Sequence, residues 1–291
     1  MSLGIIDSTI LTDIADAIRD TFGTTKTYKP TQMANAIRTK GKPLYSFSDA
    51  TDEELTEMVN AYYSGDITLD EVKSVWSIGD KRAISLSAME ATGVGESHVA
   101  QEQEIVILDF DHDTLATSVN NTTKALISVQ LLRVLSNETT SEKGYMNSTA
   151  TNSGGWSGSA RYTWCNNIFK AALPSYIQEI IRPVKKLTSA GNKNTTINTS
   201  TDSIFLLSEI EVFGSTTFSA SGEGTQYEYY TAEANRIKNT GNTSVIGSTY
   251  YWWERSPYFK DTVSFCLVYS SGIMDEAEAN DTGGLAPAFC I

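Results

Sequence analysis

Glu104-Ile105-Val106-Ile107-Leu108-Asp109-Phe110 is a short apolar run dominated by isoleucine and valine. Side chains branched at Cβ are stiff on a helical backbone and pack well on a pleated one, so these residues read as a buried strand. Five further runs of similar character lie at 83–86, 126–132, 204–207, 262–270 and 285–291, between segments rich in Ser, Thr, Asn and Gly. A helical stretch interrupts them. Ala160, Trp164, Ile168 and Phe169 keep helical spacing, Leu173-Pro174 breaks it, and Tyr176, Ile177, Ile180 and Ile181 continue a second short helix until Pro183. Residues 77–291 are therefore expected to form an α+β body of short antiparallel strands and two helices, joined by long polar loops without structure of their own.

The sequence upstream has a helical period. Ile14-Ala15-Asp16-Ala17-Ile18-Arg19 returns as Met33-Ala34-Asn35-Ala36-Ile37-Arg38, which predicts two similar small helices. Ile10, Leu11, Ile14, Ala15, Ile18 and Phe22 form one apolar stripe; Gly23 stops the first helix, and Pro30 suits the first turn of the second. Such a helix-loop-helix over 1–43 cannot bury its stripe alone, so it is expected to dock on the rest of the chain or on another protein, as an attachment or oligomerisation segment. Residues 44–76 turn acidic. Two capping boxes, Thr51-Asp52-Glu53-Glu54 and Thr68-Leu69-Asp70-Glu71, announce a helical pair whose buried stripes are Leu55, Met58, Val59 and Tyr62, then Leu69, Val72, Val75 and Trp76.

Composition removes several function classes. The chain has 291 residues, with 35 acids against 22 bases and a net charge of −13, whereas binding along a nucleic-acid backbone needs clustered Lys and Arg. Nucleic acid is therefore not an expected partner. Neither is a membrane, because no apolar run approaches the roughly 18 residues of a span, and no basic-then-apolar leader opens the sequence. Cys165, Cys266 and Cys290 are too scattered for a zinc ribbon or a disulfide framework and read as buried thiols; with only His98 and His112, most imidazole-based catalytic designs are excluded.

Several strings taken together resemble a known family: Met146-Asn147-Ser148-Thr149, Gly154-Gly155-Trp156, Ser208-Glu209-Ile210-Glu211-Val212-Phe213-Gly214, Trp252-Trp253-Glu254-Arg255-Ser256-Pro257 and Ala286-Pro287-Ala288-Phe289-Cys290-Ile291. They resemble DUF6273-like domains of phage and prophage tail proteins from gut Firmicutes, over roughly 77–291. The closing segment is also similar to the carboxyl-terminal part of C-type lectin-like folds, shared by formylglycine-generating enzymes and the variable proteins of diversity-generating retroelements. The sequence departs from that pattern at Glu254, where an apolar residue is usual, and at Leu285-Ala286, where Val-Arg is often found.

The resemblance implies a non-enzymatic tail protein located in the virion tail. Its partners would be a bacterial cell-surface protein or glycan, other tail proteins and further copies of itself in a homo-oligomer. Recognition would fall on the region after Trp252, where tyrosines alternate with small polar residues: Tyr258, Lys260, Asp261, Tyr269, Ser271, Asp275, Glu276 and Asn280. Three other features are weighed against it. Asp109-Phe110-Asp111-His112-Asp113 could offer oxygens to Ca²⁺ but lacks EF-hand spacing, and a strand-ending turn is the simpler reading. The acidic run 275–281 lacks the lectin-type Glu-Pro-Asn string. Cys266 and Cys290 have no neighbouring cation in sequence to make either thiol reactive. Trp156 is expected to plug the core, with Ser157 or Ser159 capping the helix that follows. No cofactor and no metal are expected.

Overall fold

The computed structural model describes residues 8–23, 27–38, 44–94, 97–135, 144–241, 243–244 and 246–291. Residues 1–7, 24–26 and 39–43 of the expected attachment segment lie outside the described residues. The chain divides into two compact units, Met1–Ser77 and Ile78–Ile291.

In the first unit the helices Ser8–Phe22 and Pro30–Arg38 bury Ala15, Ile18, Tyr28, Met33 and Ala36 together, with Leu11 and Phe22 packed against them. The apolar stripe is split rather than buried whole: Ile10, Ile14 and Ile37 stay exposed. Both predicted capping boxes form. Thr51 and Glu54 exchange side-chain-to-backbone bonds at the start of Asp52–Ser64, as do Thr68 and Glu71 at Leu69–Lys73. Tyr63, not Tyr62, takes the buried position, and Trp76 donates its Nε1–H to the Tyr45 carbonyl at 2.8 Å.

The second unit is mixed α+β. Its strands are β1 (Lys81–Leu86), β2 (Gln101–Phe110), β3 (Thr114–Val119), β4 (Thr122–Lys124), β5 (Ile127–Leu131), β6 (Val184–Gly191), β7 (Asn194–Asp202), β8 (Ile204–Phe205), β9 (Lys238–Gly241), β10 (Ile246–Tyr250), β11 (Trp252–Pro257), β12 (Ser264–Val268), β13 (Met274–Glu278) and β14 (Ala288–Cys290). The five-stranded sheet has the order β1-β2-β5-β14-β8, so the carboxyl-terminal strand is inserted between two earlier ones. Ile105 to Leu108 are fully buried there, as the opening run implies. Three smaller antiparallel sheets accompany it: β4-β3-β6-β7, β11-β12-β13 and β10-β9.

The polar stretch 184–202, expected to be loop, is instead the hairpin β6–β7. Its turn residues Asn192 and Lys193 both have positive φ, and Asn120 and Asn121 repeat that turn between β3 and β4. Two consecutive left-handed residues suit the right-handed twist of a two-residue hairpin, and asparagine tolerates them. The helical stretch runs through Ala160–Trp164, a π turn at Cys165–Phe169 and Lys170–Ala172, followed by Ser175–Ile180. An additional short helix, Glu209–Phe213, opens on a capping box between Ser208 and Glu211.

Trp156 is fully buried and Ser159, rather than Ser157, caps the following helix. Gly155 sits at φ +61° with the Ser189 carbonyl against the position a Cβ would take, so this loop closes on β6 only through glycine. Gly155→Ala is expected to lower stability by about 3 kcal/mol or more, since left-handed strain and a backbone clash add. An unchanged melting temperature would show that the loop can give way.

Candidate functional site

β6 alternates inward and outward side chains: Val184, Lys186 and Thr188 are buried, while Lys185 and Leu187 face out. The buried Lys186 Nζ donates to Asp113 Oδ1 at 2.6 Å, Glu211 Oε1 at 2.8 Å and the Tyr227 hydroxyl at 2.9 Å. All three donor hydrogens of the ammonium are thereby used. Arg255 of β11 completes the arrangement. Its Nη2 donates to Glu211 Oε1 at 2.9 Å and to the Glu223 carbonyl at 2.8 Å, and Nη1 to the Leu206 carbonyl at 2.9 Å. Tyr227 in turn donates to Asp113 Oδ2 at 2.7 Å.

Two carboxylates and two cations thus neutralise one another in the interior, which is the condition for burying charge at all. Burial alone would raise the Asp113 carboxyl, but Lys186 overrides it and holds Asp113 well below the usual carboxylate range. Glu211 is likewise lowered, against burial, by Arg255 and Lys186. Burial would lower the Lys186 ammonium, and the two carboxylates raise it instead. Glu223 differs. Burial raises it more than its bonds from Ser256 and the Ser189 N–H lower it, so it is held toward the protonated acid.

Above this network opens a cleft of about 260 Å³ whose walls include His112, Lys124, Lys185 and Thr225. The His112 ring packs 4.1 Å from the Tyr227 ring, with Nε2 3.1 Å from Thr225 Oγ1 and Nδ1 3.7 Å from Asp113 Oδ2. Burial would lower its pKa, but the Asp113 carboxylate raises it. The Asp109–Asp113 segment is a strand-ending turn: Asp111 has φ 52°, Asp109 accepts from the Phe110 and Glu228 N–H groups, and Asp113 is committed to Lys186. Among the described residues, no three His, Cys, Asp or Glu side chains are grouped to hold a metal ion.

All three cysteines are buried and unbridged. β12 is buried on both faces, so Cys266 is enclosed along with Phe265 and Leu267. Burial, aided by nearby carboxylates, pushes Cys266 and Cys290 well above the ordinary thiol value, and Cys165 is pushed up to about 12. These are thiols rather than thiolates at neutral pH.

The eight residues expected to form a recognition face are spread over the two ends of β12 and its partner strand β13. Tyr258, Lys260 and Asp261 lie on the loop before β12, and Tyr269 and Ser271 on the tight turn after it, separated by roughly 16 Å of strand. Glu276 pairs with Cys266 on β13 and, after burial and ahead of Asp261, raises the Tyr258 phenol. Asp261 is a loop staple: it accepts from the N–H groups of Val263 and Ser264 at 2.9 and 2.8 Å and from the Ser264 hydroxyl at 2.6 Å. Asp275 lies opposite Leu267 and accepts from the Glu276 N–H. Lys260 and Asn280 are exposed. At the turn, Tyr269 and Ile273 are 45% and 60% exposed beside Ile237 at 42%. Ile237 and Ile273 border a groove of about 500 Å³ whose walls include Phe213, Arg236 and Met274.

Residues 124–291 match the family described as Domain of unknown function (DUF6273). The chain belongs to the DUF6273 family. The matched segment begins at the end of β4, yet its sheet is completed by β1 and β2, and its buried lysine by Asp113, all from before residue 124. No curated protein and no solved structure matches the chain. Two strings of the DUF6273 resemblance meet in space: Glu211 of the first is the partner of Arg255 of the second, and the Glu209 N–H donates to Ser256 Oγ at 3.0 Å. Lys186 and Tyr227 lie outside those strings and escape sequence reading, whereas Asp113, read only as part of the Asp109–Asp113 turn, is the partner of Lys186. Lys186 hides behind Lys185 as half of an ordinary basic pair, and only strand alternation, once β6 is recognised, would turn it inward.

Proposed function

We propose that this DUF6273 protein is a non-enzymatic, tail-associated component of a phage or prophage, and that its carboxyl-terminal domain, of C-type lectin-like type, recognises a bacterial surface protein or glycan. The observation that carries the reading is the β12–β13 turn, where Tyr269 and Ile273 are exposed and Ile273 lines the groove together with Ile237. Large apolar side chains clustered at one exposed point lose contact with water only when a partner covers them, and tyrosine adds a hydroxyl for orientation. Gly272, at φ +83°, shapes that turn, and a Cβ there would stand 3.0 Å from Ile237 Cγ1. The turn closes the β12–β13 pair of the three-stranded sheet, in which β11 and β12 are buried along their length, so it stands on a packed support.

Among the described residues no helix is long and apolar enough to cross a membrane. A second reading, a structural tail or fibre subunit without receptor contact, is favoured by Ile10, Ile14 and Ile37, which leave the amino-terminal helices with uncovered apolar side chains suited to another tail protein or a second copy.

Binding of the labelled protein to a panel of Gram-positive gut bacteria tests the two. Tyr269→Ala combined with Ile273→Ser is expected to weaken cell binding by roughly 100-fold, the scale of a binding hot spot, with no change in melting temperature. Cell binding untouched by the double variant removes the turn as the recognition face. Absence of any cell binding, with oligomerisation lost on Ile14→Ser, moves the reading to the structural role.

A further inference from the structure

The chain as a whole carries a net charge of −13. The cleft above the buried network runs against that balance. Lys124, Lys185 and Lys186 all line it. The carboxylates there, Asp113 and Glu211, are already neutralised by Lys186 and Arg255, and Glu223 is engaged by the Ser189 N–H and the Ser256 hydroxyl. Two ammonium groups are left over. Lys124 donates only to the His112 carbonyl, at 2.7 Å, and Lys185 makes no ion pair among the described residues.

The ring between them is fixed rather than free. His112 is clamped by Tyr227 on its face, Thr225 Oγ1 at Nε2 and Asp113 near Nδ1. Gly222 and Gly224, with φ of +98° and +133°, carry the opposite wall, and a Cβ on Gly224 would meet Glu211 Oε1 at 3.0 Å. Only glycine lets this segment come so close to the buried carboxylate, which keeps the cleft narrow.

We propose that this cleft binds a phosphate group, held by the Lys124 and Lys185 ammonium groups, with the Thr225 hydroxyl, which His112 Nε2 holds in place, supplying a further hydrogen-bond donor. The donors come from three separate segments, β4, β6 and the loop after Gly224. A phosphate has oxygens enough to meet donors arriving from several directions, whereas a planar carboxylate offers two. The site is remote in sequence from the β12–β13 turn and stands whether or not that turn binds a receptor. The phosphate could belong to a free metabolite or to a phosphodiester polymer, and the chemistry at the cleft is the same.

The chain has two histidines, so their ring nitrogens can be followed separately by long-range ¹H–¹⁵N NMR on the full-length protein. His98, buried with its ring 6.3 Å from that of Trp164, serves as the internal control. Titration with inorganic phosphate at constant ionic strength is expected to shift His112 saturably and leave His98 in place. Lys185→Gln, an outward-facing change on β6, and Lys124→Gln should each weaken the apparent affinity roughly tenfold, the effect of one charge-assisted hydrogen bond. Glycerol phosphate and a glycerol-phosphate oligomer form parallel arms: tighter binding of the monomer indicates a metabolite, and tighter binding of the oligomer a polymer. Three results overturn the proposal: no saturable His112 shift with any of these probes, an identical shift in the Lys124→Gln/Lys185→Gln double variant with His98 unmoved, or galacturonate binding as tightly as phosphate.

Discussion

A Lys186→Met variant is expected to lose about 3–5 kcal/mol of stability at neutral pH, a large part of what a domain of this size possesses. Methionine fills nearly the same volume, so the loss comes from electrostatics rather than from a cavity. Asp113 and Glu211 would remain in the interior with one ammonium fewer, the Tyr227 hydroxyl oxygen would lose the donor it accepts from, and Arg255 cannot reach Asp113 while it holds Glu211 and three carbonyls.

The pH dependence separates this cause from mere loss of packing. Asp113 and Glu211 have folded pKa values depressed below their unfolded ones, so the stability they contribute is present above the ordinary carboxylate range and lost as pH falls through it. Without Lys186 their depression shrinks. The gap between variant and wild type should therefore be widest at neutral pH and narrow steadily below about pH 4, where carboxylates are protonated in the unfolded chain anyway. Urea unfolding at several pH values measures it. A gap that stays constant from neutral to acid pH would mean that Lys186 acts through packing, and a gap near zero throughout would mean that the network contributes nothing net.

What could be read without coordinates follows a physical divide. Local signals suffice where a residue acts on its near neighbours: the Thr51 and Thr68 capping boxes, the Ile105–Leu108 strand and the Trp156 plug all depend on residues within a few positions or on sheer apolar bulk. The β6–β7 hairpin was illegible because its faces carry Lys, Thr, Ser and Asn, so hydrophobic alternation is silent and only Asn192-Lys193 marks the turn. Glu211 is partnered with Arg255, 44 residues away, and Asp113 with Lys186, 73 away. No spacing rule spans such distances. The expected face after Trp252 draws on turns at opposite ends of β12, which are close in sequence yet a strand's length apart, with Asp275 and Glu276 on β13 between them.

Glu254 shows the cost of one of the two departures from the expected pattern. It is completely buried, and neither carboxyl oxygen has a hydrogen-bond partner. Burial comes first and the charges of Glu209 and Glu223 second in raising its pKa well above the ordinary value; Arg255 opposes them but aims its guanidinium at Glu211. Glu254 is therefore held toward the protonated acid in the folded protein. The sign of the consequence is fixed. A carboxyl whose folded pKa is raised is held by the folded state with a proton that the unfolded chain releases, so stability falls as pH climbs from the unfolded value toward the folded one.

Glu254→Gln keeps the shape and discards the titration. The variant and wild type should be nearly equal near pH 4, and the variant should gain about a factor of ten in its folding equilibrium for each pH unit above that, up to the folded pKa. Lys238 has the opposite slope, because burial lowers its ammonium to about 7 and stability on its account rises from there toward the unfolded lysine value. That contribution is common to both proteins and cancels in the difference, as do those of Glu223 and Asp202. Parallel stability curves from acid to alkaline pH would mean that Glu254 is ionised in the folded state. Its carboxylate would then need a cation beside it, and the difference between the two curves with and without added Ca²⁺ or Na⁺ would be the place to find one.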